Sequence, residues 1–180
     1  MEGDRLGADE VFFTEALREG LHSAASALEG IRRTVEVIKG ANPLYHWTGV
    51  YLLEGQELVL AHEIGKPTSH RRIPLDKGIC GAAAREGATI VVDDVNADPR
   101  YLACTLETRS EIVVPLIARG RILGEIDIDS DRQAAFAPID RERIEAAAAL
   151  LSEFLETISW SMPSPPASAP RPRASGGEGR

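Results

Sequence analysis

The sequence predicts an α+β fold, in which an antiparallel sheet carries helices on one face. Two observations support this: apolar and polar residues alternate along two pairs of neighbouring segments, and helical periodicity marks both ends of the folded region. Strands that follow each other closely pair in antiparallel fashion, and helices outside the strand runs are typical of α+β layers. The 180 residues correspond to one domain.

Apolar residues spaced three and four apart predict a first helix over residues 8–39, with a potential break near Gly20. The sequence Gly40-Ala41-Asn42-Pro43 supplies the stop signal. A second stripe predicts a helix over residues 138–160, and we expect the two helices to pack together. Their amphipathic faces would also suit a homodimer. We expect residues 1–7 to be flexible.

The predicted sheet lies within residues 46–130. Its first hairpin joins residues 46–53 to Glu57–Ile64, and the clearest hairpin joins Ser110–Ala118 to Arg121–Ser130 through Arg119-Gly120. On the first strand, one face carries Trp47, Gly49, Tyr51 and Leu53. Between Gly65 and Ser110 the periodicity is poor except at Thr89–Val92, and such a long irregular span is usually functional.

Strand parity divides the second hairpin into an apolar face and an acidic face. The apolar face is assigned Ile112, Val114, Leu116, Ile122, Ile126 and Ile128. The opposite face is assigned Glu111, Val113, Glu125, Asp127 and Asp129. We predict that Glu111, Asp127 and Asp129 converge, and that crowding raises the pKa of at least one of them. Such a trio suits an amino-acid ligand; the alternative is a solvated acidic strand face.

The chain has two cysteines. Cys104 lies in the loop that leads into the acidic hairpin, where we expect carboxylates to raise its pKa. Cys80 lies in Gly78-Ile-Cys-Gly81, a turn into a short helix, where the helix dipole and Lys77 would favour the thiolate. The alternative for both is a small buried hydrophobe. Trp47 and Tyr51 fit an apolar wall for a ligand, or simply the core.

Composition excludes several classes of function. The net charge is −8 with no dense basic stripe, so nucleic acid is not an expected partner. The sequence shows neither a basic leader followed by an apolar run nor a stretch of roughly 18 apolar residues that could cross a membrane. We therefore expect a cytoplasmic protein that has reduced thiols and does not contact a membrane. The chain has four histidines that lack the paired spacing of a metal site: His22, His46, His62 and His70. The glycine turn lacks the ending of a P-loop. We therefore expect neither a metal nor a bound cofactor.

The tail, residues 162–180, consists mainly of Pro, Ser, Gly, Ala and charged residues. Because it has almost no large apolar side chains to bury, we expect it to be a disordered extension. Its arginines, Arg171, Arg173 and Arg180, offer the alternative of a weak docking motif.

Six sequence blocks between Trp47 and Ile158 resemble the free methionine-(R)-sulfoxide reductases, which are stand-alone GAF domains. They are Trp47-Thr-Gly-Val-Tyr51-Leu, Ile73-Pro-Leu-Asp-Lys-Gly-Ile-Cys80-Gly, Asp94-Val-Asn, Tyr101-Leu-Ala-Cys104, Ser110-Glu-Ile-Val-Val-Pro115 and Gly124-Glu-Ile-Asp-Ile-Asp-Ser130. The resemblance implies a GAF-like, PAS-related fold over residues 8–161, with a sheet of about five to six strands.

The resemblance also implies roles for single residues. Cys104 matches the cysteine that takes part in sulfoxide reduction, and Trp47 and Tyr51 match aromatics that enclose the substrate methyl. Glu111, Asp127 and Asp129 match the acids that hold the ligand. The implied reaction is thiolate attack on the sulfoxide sulfur with proton donation from a carboxylic acid, followed by a second thiol and a thioredoxin-type external reductant.

The sequence departs from the family in the stretch after Gly65-Lys66. Many members carry a third cysteine there, whereas this chain reads Pro67-Thr68-Ser69-His70. Resolution would then depend on Cys80 or on an external thiol. Two hypotheses follow: a reductase of free L-methionine-(R)-S-oxide, or a small-molecule-sensing GAF module without catalysis that acts on a partner in trans.

Overall fold

The computed structural model describes residues 2–102 and 107–158, and for residues 2–8 the backbone only. Its helices are α1 (Glu2–His22), α2 (Ala27–Ala41), α3 (Gly78–Glu86) and α4 (Pro138–Thr157). Its strands are β1 (Trp47–Glu54), β2 (Glu57–Ile64), β3 (Arg72–Pro74), β4 (Ile90–Val92), β5 (Ser110–Ala118) and β6 (Arg121–Ser130). A 3-10 turn at Val95–Ala97 follows β4.

The six strands form one sheet in the order β3-β2-β1-β6-β5-β4, and every neighbouring pair is antiparallel. The predicted α+β class is therefore confirmed. β1 and β6 lie at the centre, so the last strand of the chain pairs with the first. Both hairpins that the sequence predicts are present, and β3 and β4 extend the sheet at its edges.

One face of the sheet packs against α2 and α4, and α1 packs on these two helices, as the periodicity of the terminal segments predicts. This apolar layer includes Ile31 and Val35 from α2, Ile126 from β6, and Ile144 and Leu151 from α4, all fully buried. A second, smaller cluster lies on the other face, where α3 covers the sheet around Tyr51 and Val113. The molecule thus has helices on both faces, and only the short α3 covers the second one.

The helical N-terminal region differs from the single helix predicted over residues 8–39. Helix α1 already begins at Glu2, and the break lies after His22 rather than at Gly20. Helix capping explains the position: the N-cap Ser26 side chain accepts a hydrogen bond from Glu29 N at 3.2 Å, and the Glu29 carboxylate accepts one from Ala25 N, just before the cap, at 2.9 Å. The Ser-x-x-Glu signal therefore starts a new helix, whereas Gly20 is tolerated inside α1.

The β5-β6 hairpin turns at Arg119 and Gly120, whose φ angles of 47° and 72° match a two-residue turn with left-handed backbone. Its register shifts between Leu116 and Ile117, so that Leu116 pairs with Gly124 while Ile117 pairs with Ile122. Because of this bulge, the face predicted for Ile122 is wrong. Ile122 packs with the α3-side cluster and not with Ile126, because the extra residue reverses the parity of the strand before Gly124.

None of the helices in the described part of the chain is both long and apolar enough to cross a bilayer.

Helix α3 approaches the preceding loop so closely that only glycine fits at Gly81. A Cβ there would lie 2.5 Å from the Leu75 carbonyl oxygen. We expect Gly81→Ala to lower the free energy of unfolding by about 1–3 kcal/mol, because a backbone atom would have to shift. Urea unfolding with an unchanged m-value would measure this effect.

Gly40→Ala is the matched control, since Gly40 also lies in a helix and a Cβ there would have no neighbour within 4 Å. It should stabilise the protein by about 0.5–1 kcal/mol. Equal effects of the two substitutions would contradict the close packing of α3.

Candidate functional site

A cluster of four carboxyl groups lies on the α3-facing side of the β5-β6 hairpin: Glu111, Glu125, Asp127 and Asp129. Each is at most 5% exposed. Glu111 pairs with Asp129 across the hairpin, and Asp127 pairs with Val113, so the side chains share one face by strand parity. The three acids singled out from the sequence therefore do lie together, and the alternative of a solvated acidic face is wrong.

Helix α3 closes this acidic cluster from water. Its Cys80 thiol donates a hydrogen bond to Asp127 Oδ2 at 3.4 Å and contacts Glu111 Oε1 at 3.8 Å. Gly78, with φ 71°, turns the chain into the helix, and Gly81 lets the helix sit close to residues 74–75. The two glycines of the motif thus place Cys80 against the carboxyl groups.

The expectation that the helix terminus and Lys77 favour the Cys80 thiolate is wrong. Burial raises the pKa of the Cys80 thiol, and Asp127, Glu125 and Glu111 raise it further. Lys77 does not counter this effect, because its side chain is 62% exposed and points to Asp76 at the surface. Cys80 is therefore a buried, protonated thiol in the structure.

The carboxyl groups themselves hold their protons more tightly than isolated ones. Burial raises the pKa of Asp127 to about 7, and burial together with neighbouring carboxylates raises the pKa values of Glu111, Glu125 and Asp129 well above their ordinary range. The predicted crowding contributes through charge repulsion, but loss of water is the larger cause. The cluster thus provides buried carboxyl groups that hold their protons toward neutral pH.

Several oxygens of the cluster lack a hydrogen-bond partner among the described residues: both of Glu125 and Oδ1 of Asp127. Buried polar atoms are nearly always paired in folded proteins, so unpaired ones indicate a ligand, an ion or water. The acidic cluster therefore has unused capacity to accept hydrogen bonds.

Two aromatic side chains of β1 flank the cluster. Trp47 pairs with Asp129 and Tyr51 with Glu125, and their rings lie 6.3 Å apart between centroids. The Trp47 ring covers Gly49, where a Cβ would lie 2.1 Å from the ring. Tyr51 donates a hydrogen bond to His70 O at 2.8 Å. The aromatic pair thus forms one side of the site, as predicted from their shared strand face.

The described residues on either side of the other cysteine can be located relative to the site. Cys104 itself lies outside the described residues, as do residues 103–106 around it. On one side of them, Leu102 lines a small cavity together with Gly78, Cys80 and Glu111. On the other side, Glu107 forms an ion pair with Lys66 at 2.8 Å. Leu102, two residues before Cys104 in the chain, therefore lies at the acidic cluster.

A family model for the GAF domain matches residues 6–155. The chain belongs to the GAF domain family. Free methionine-R-sulfoxide reductase of Escherichia coli (strain K12) is 35% identical over 115 residues, which are 64% of this chain and 69% of the relative. The fold expected from the sequence resemblance is thereby confirmed.

Solved structures agree with this assignment. Free methionine-R-sulfoxide reductase from Neisseria meningitidis, in complex with its substrate, is 34% identical with a TM-score of 0.77, covering 83% of this chain and 92% of that one. A Burkholderia vietnamiensis protein described as a candidate GAF sensor is also 34% identical, with a TM-score of 0.78 and coverage of 83% and 94%. The GAF domain is thus similar both to reductases and to a sensor candidate.

The structure adds two features that the sequence analysis of this GAF domain missed. Glu125 was placed on the acidic face, but only the fold shows that it is fully buried and part of the cluster. Cys80 was treated as separate from the carboxylates, because nothing in its sequence spacing links it to a hairpin about 30 residues further on. Its contact with Glu111 arises from the packing of α3 on β5 and β6.

The raised pKa values imply that the acidic cluster destabilises the empty protein at higher pH. Unfolded carboxyl groups ionise near pH 4, whereas the folded cluster keeps its protons, so the free energy of unfolding falls from about pH 4 through pH 7. Glu125→Gln removes one buried ionisable group without breaking a hydrogen bond. We expect it to stabilise the protein by about 1–3 kcal/mol near pH 8 and by less near pH 5.

Chemical denaturation at both pH values would measure this difference. Glu153→Gln, on the exposed side of α4, is the control and should show no such pH dependence. A Glu125→Gln variant that is less stable than the wild type near pH 8 would contradict the unpaired state of Glu125.

Proposed function

We propose that this GAF domain reduces free L-methionine-(R)-S-oxide with thiols as electron donors. The single observation that carries the proposal is the buried cluster of protonated and ionisable acids beside an aromatic pair. The similarity to reductases from Escherichia coli and Neisseria meningitidis supports it. We place the reaction in the cytoplasm, where cysteines stay reduced.

The acids would recognise the amino-acid part of the ligand. Asp127, whose pKa is near 7, can carry the negative charge that an ammonium group requires, and Glu111 and Asp129 surround it. The unpaired Asp127 oxygen is available for such a donor. Trp47 and Tyr51 would enclose the methyl group, because they border the same acids.

The chemical step assigns one role to Cys104 and another to a protonated acid. The Cys104 thiolate attacks the sulfoxide sulfur, while a carboxylic acid of the cluster protonates the oxygen. Methionine leaves, and the oxygen remains on Cys104 as a sulfenic acid, so the cysteine is oxidised by two electrons. The high pKa values of Glu111 and Asp129 support an acid that stays protonated near neutral pH.

A second thiol must then condense with the sulfenic acid, releasing water and forming a disulfide. The chain has Pro67-Thr68-Ser69-His70 where many reductases carry a further cysteine, so this thiol is Cys80 or an external one. Burial and neighbouring carboxylates keep Cys80 protonated, which slows its attack. A thioredoxin-type reductant would restore the thiols with two electrons.

A second candidate function is ligand sensing without turnover. The similarity to the Burkholderia vietnamiensis sensor candidate favours it, and the same acids and aromatics would then bind an amino acid and signal to a partner in trans. Binding of the sulfoxide without its reduction would distinguish this function from the first.

We also propose a homodimer through the terminal helices. On α1, Val11 is 59% exposed and Phe12 is 74% exposed, which is unusual for large apolar side chains on one turn of a helix. A dimer would cover them, and sedimentation of a Phe12→Asp variant as a monomer beside a dimeric wild type would support this proposal. A monomeric wild type would refute it.

NADPH consumption coupled to thioredoxin and thioredoxin reductase tests the proposed reaction. The wild type should consume one NADPH for each free methionine-(R)-sulfoxide reduced, and the (S) epimer should be inert. Cys104→Ser should abolish turnover, because it removes the thiolate that attacks the sulfoxide sulfur in the proposed reaction. Wild-type protein that binds the sulfoxide but consumes no NADPH would contradict the reductase function and support the sensor.

Single-turnover chemistry with Cys80→Ser identifies the second thiol. If Cys80 resolves the sulfenic acid, this variant should still form one methionine per chain but lose thioredoxin-dependent turnover. If an external thiol resolves it, turnover should persist. Mass spectrometry of the oxidised protein, with a sulfenic-acid trapping reagent, would show which species accumulates.

A further inference from the structure

Three side chains from three different elements bring metal-binding atoms together beneath α3. The Cys80 sulfur and one oxygen each from Glu111 and Asp127 all lie within 4.8 Å of one another, and all three side chains are buried. The sequence predicts no metal site, because neither its histidines nor its cysteines show metal-ligand spacing along the chain. This group arises only when α3, β5 and β6 pack together.

The distances match the geometry of a small tetrahedral ion. With bonds of about 2.3 Å to sulfur and about 2.0 Å to oxygen, a tetrahedral zinc ion places its sulfur and oxygen ligands about 3.5 Å apart. In the structure Cys80 Sγ lies 3.4 Å from Asp127 Oδ2 and 3.8 Å from Glu111 Oε1. Both sulfur–oxygen distances are therefore close to the spacing that such an ion requires.

A second observation, independent of the cluster itself, also indicates a ligand. Asp127 Oδ1 and both oxygens of Glu125 are buried and have no hydrogen-bond partner in the described chain. Glu125 is 0% exposed and Asp127 is 1% exposed, so bulk water does not reach them. A cation beside Cys80, or a water molecule bound to it, would supply the partner that these buried oxygens lack.

The donor set selects the class of ion. A thiolate is a soft ligand that Mg²⁺ and Ca²⁺ do not use, whereas zinc and cadmium accept a thiolate together with carboxylates. Three protein ligands leave a fourth position for water or another small ligand. We propose that Cys80, Glu111 and Asp127 form a binding site for a thiophilic divalent cation of the zinc class.

Binding replaces the protons of the ligands with the metal: bonds from the cation to the Cys80 sulfur and to one oxygen each of Glu111 and Asp127 form. The thiol proton and any proton held by the two carboxyl groups pass to solvent, with no change of oxidation state. The ion would use two of the acids assigned to the amino-acid ligand. Zinc would therefore compete with that ligand, a consequence that rests on the proposed function, whereas the site itself does not.

The test uses full-length Cys104→Ser protein, in which Cys80 is the only thiol of the chain. Titration with Cd²⁺ or Co²⁺ should produce a thiolate-to-metal charge-transfer band that saturates at one ion per chain. The band must vanish in Cys80→Ser/Cys104→Ser. No band at stoichiometric metal would overturn the proposal.

The carboxylate ligands are tested in the same Cys104→Ser background. Glu111→Gln and Asp127→Asn should each weaken zinc binding by about tenfold or more, measured by competition with a chromophoric chelator. Glu153→Gln, on the exposed face of α4, is the matched control and should leave the affinity unchanged. Unchanged affinity in both ligand variants would also refute the site.

Folding of each variant is checked by circular dichroism, and a thermal measurement covers the case in which a ligand variant does not fold. Zinc should raise the melting temperature of Cys104→Ser but not that of Cys80→Ser/Cys104→Ser. An equal shift in both would refute the site. None of these measurements needs turnover, so an inactive wild type would overturn the proposed reductase and leave the metal site standing.

Discussion

The two faces of the β5-β6 hairpin impose the main physical constraint on this protein. Because side chains alternate along a strand, Ile126 and Ile128 enter the helix-covered core while Glu125, Asp127 and Asp129 must point to the opposite side. A shift in strand register would therefore displace the apolar side chains and the acidic side chains together. The apolar layer under α1, α2 and α4 therefore supplies the stability that holds a set of carboxyl groups in a place where they are poorly solvated.

Helix α3 turns this acidic face into an enclosed site. Gly81 allows the helix to approach the backbone at Leu75, and Cys80 then faces the carboxyl groups at hydrogen-bond distance. Burial, more than charge repulsion, raises the pKa values of the acids and of the thiol. The properties of the site thus depend on how tightly a nine-residue helix covers it, and not on the identity of the acids alone.

Local patterns were sufficient to predict the α+β class, both hairpins, the packing of the terminal helices and the shared face of Glu111, Asp127 and Asp129. They failed where one residue alters a repeat: the bulge near Leu123 moved Ile122 to the other face, and the N-cap at Ser26 divided a long apolar stripe into two helices. The contact of Cys80 with the hairpin was also unpredictable, because it depends on tertiary packing. The role of Cys104 comes from family resemblance and remains a proposal.

Trp47 connects the site to the loop that follows β2. Its indole nitrogen donates a hydrogen bond to Glu63 Oε2 at 3.0 Å, and the same oxygen accepts one from Thr68 N, also at 3.0 Å. A movement of this loop would therefore change the electrostatic surroundings of the indole ring. The chain has two tryptophans, so replacing Trp160 would make the fluorescence of Trp47 an intrinsic optical signal for the environment of the site.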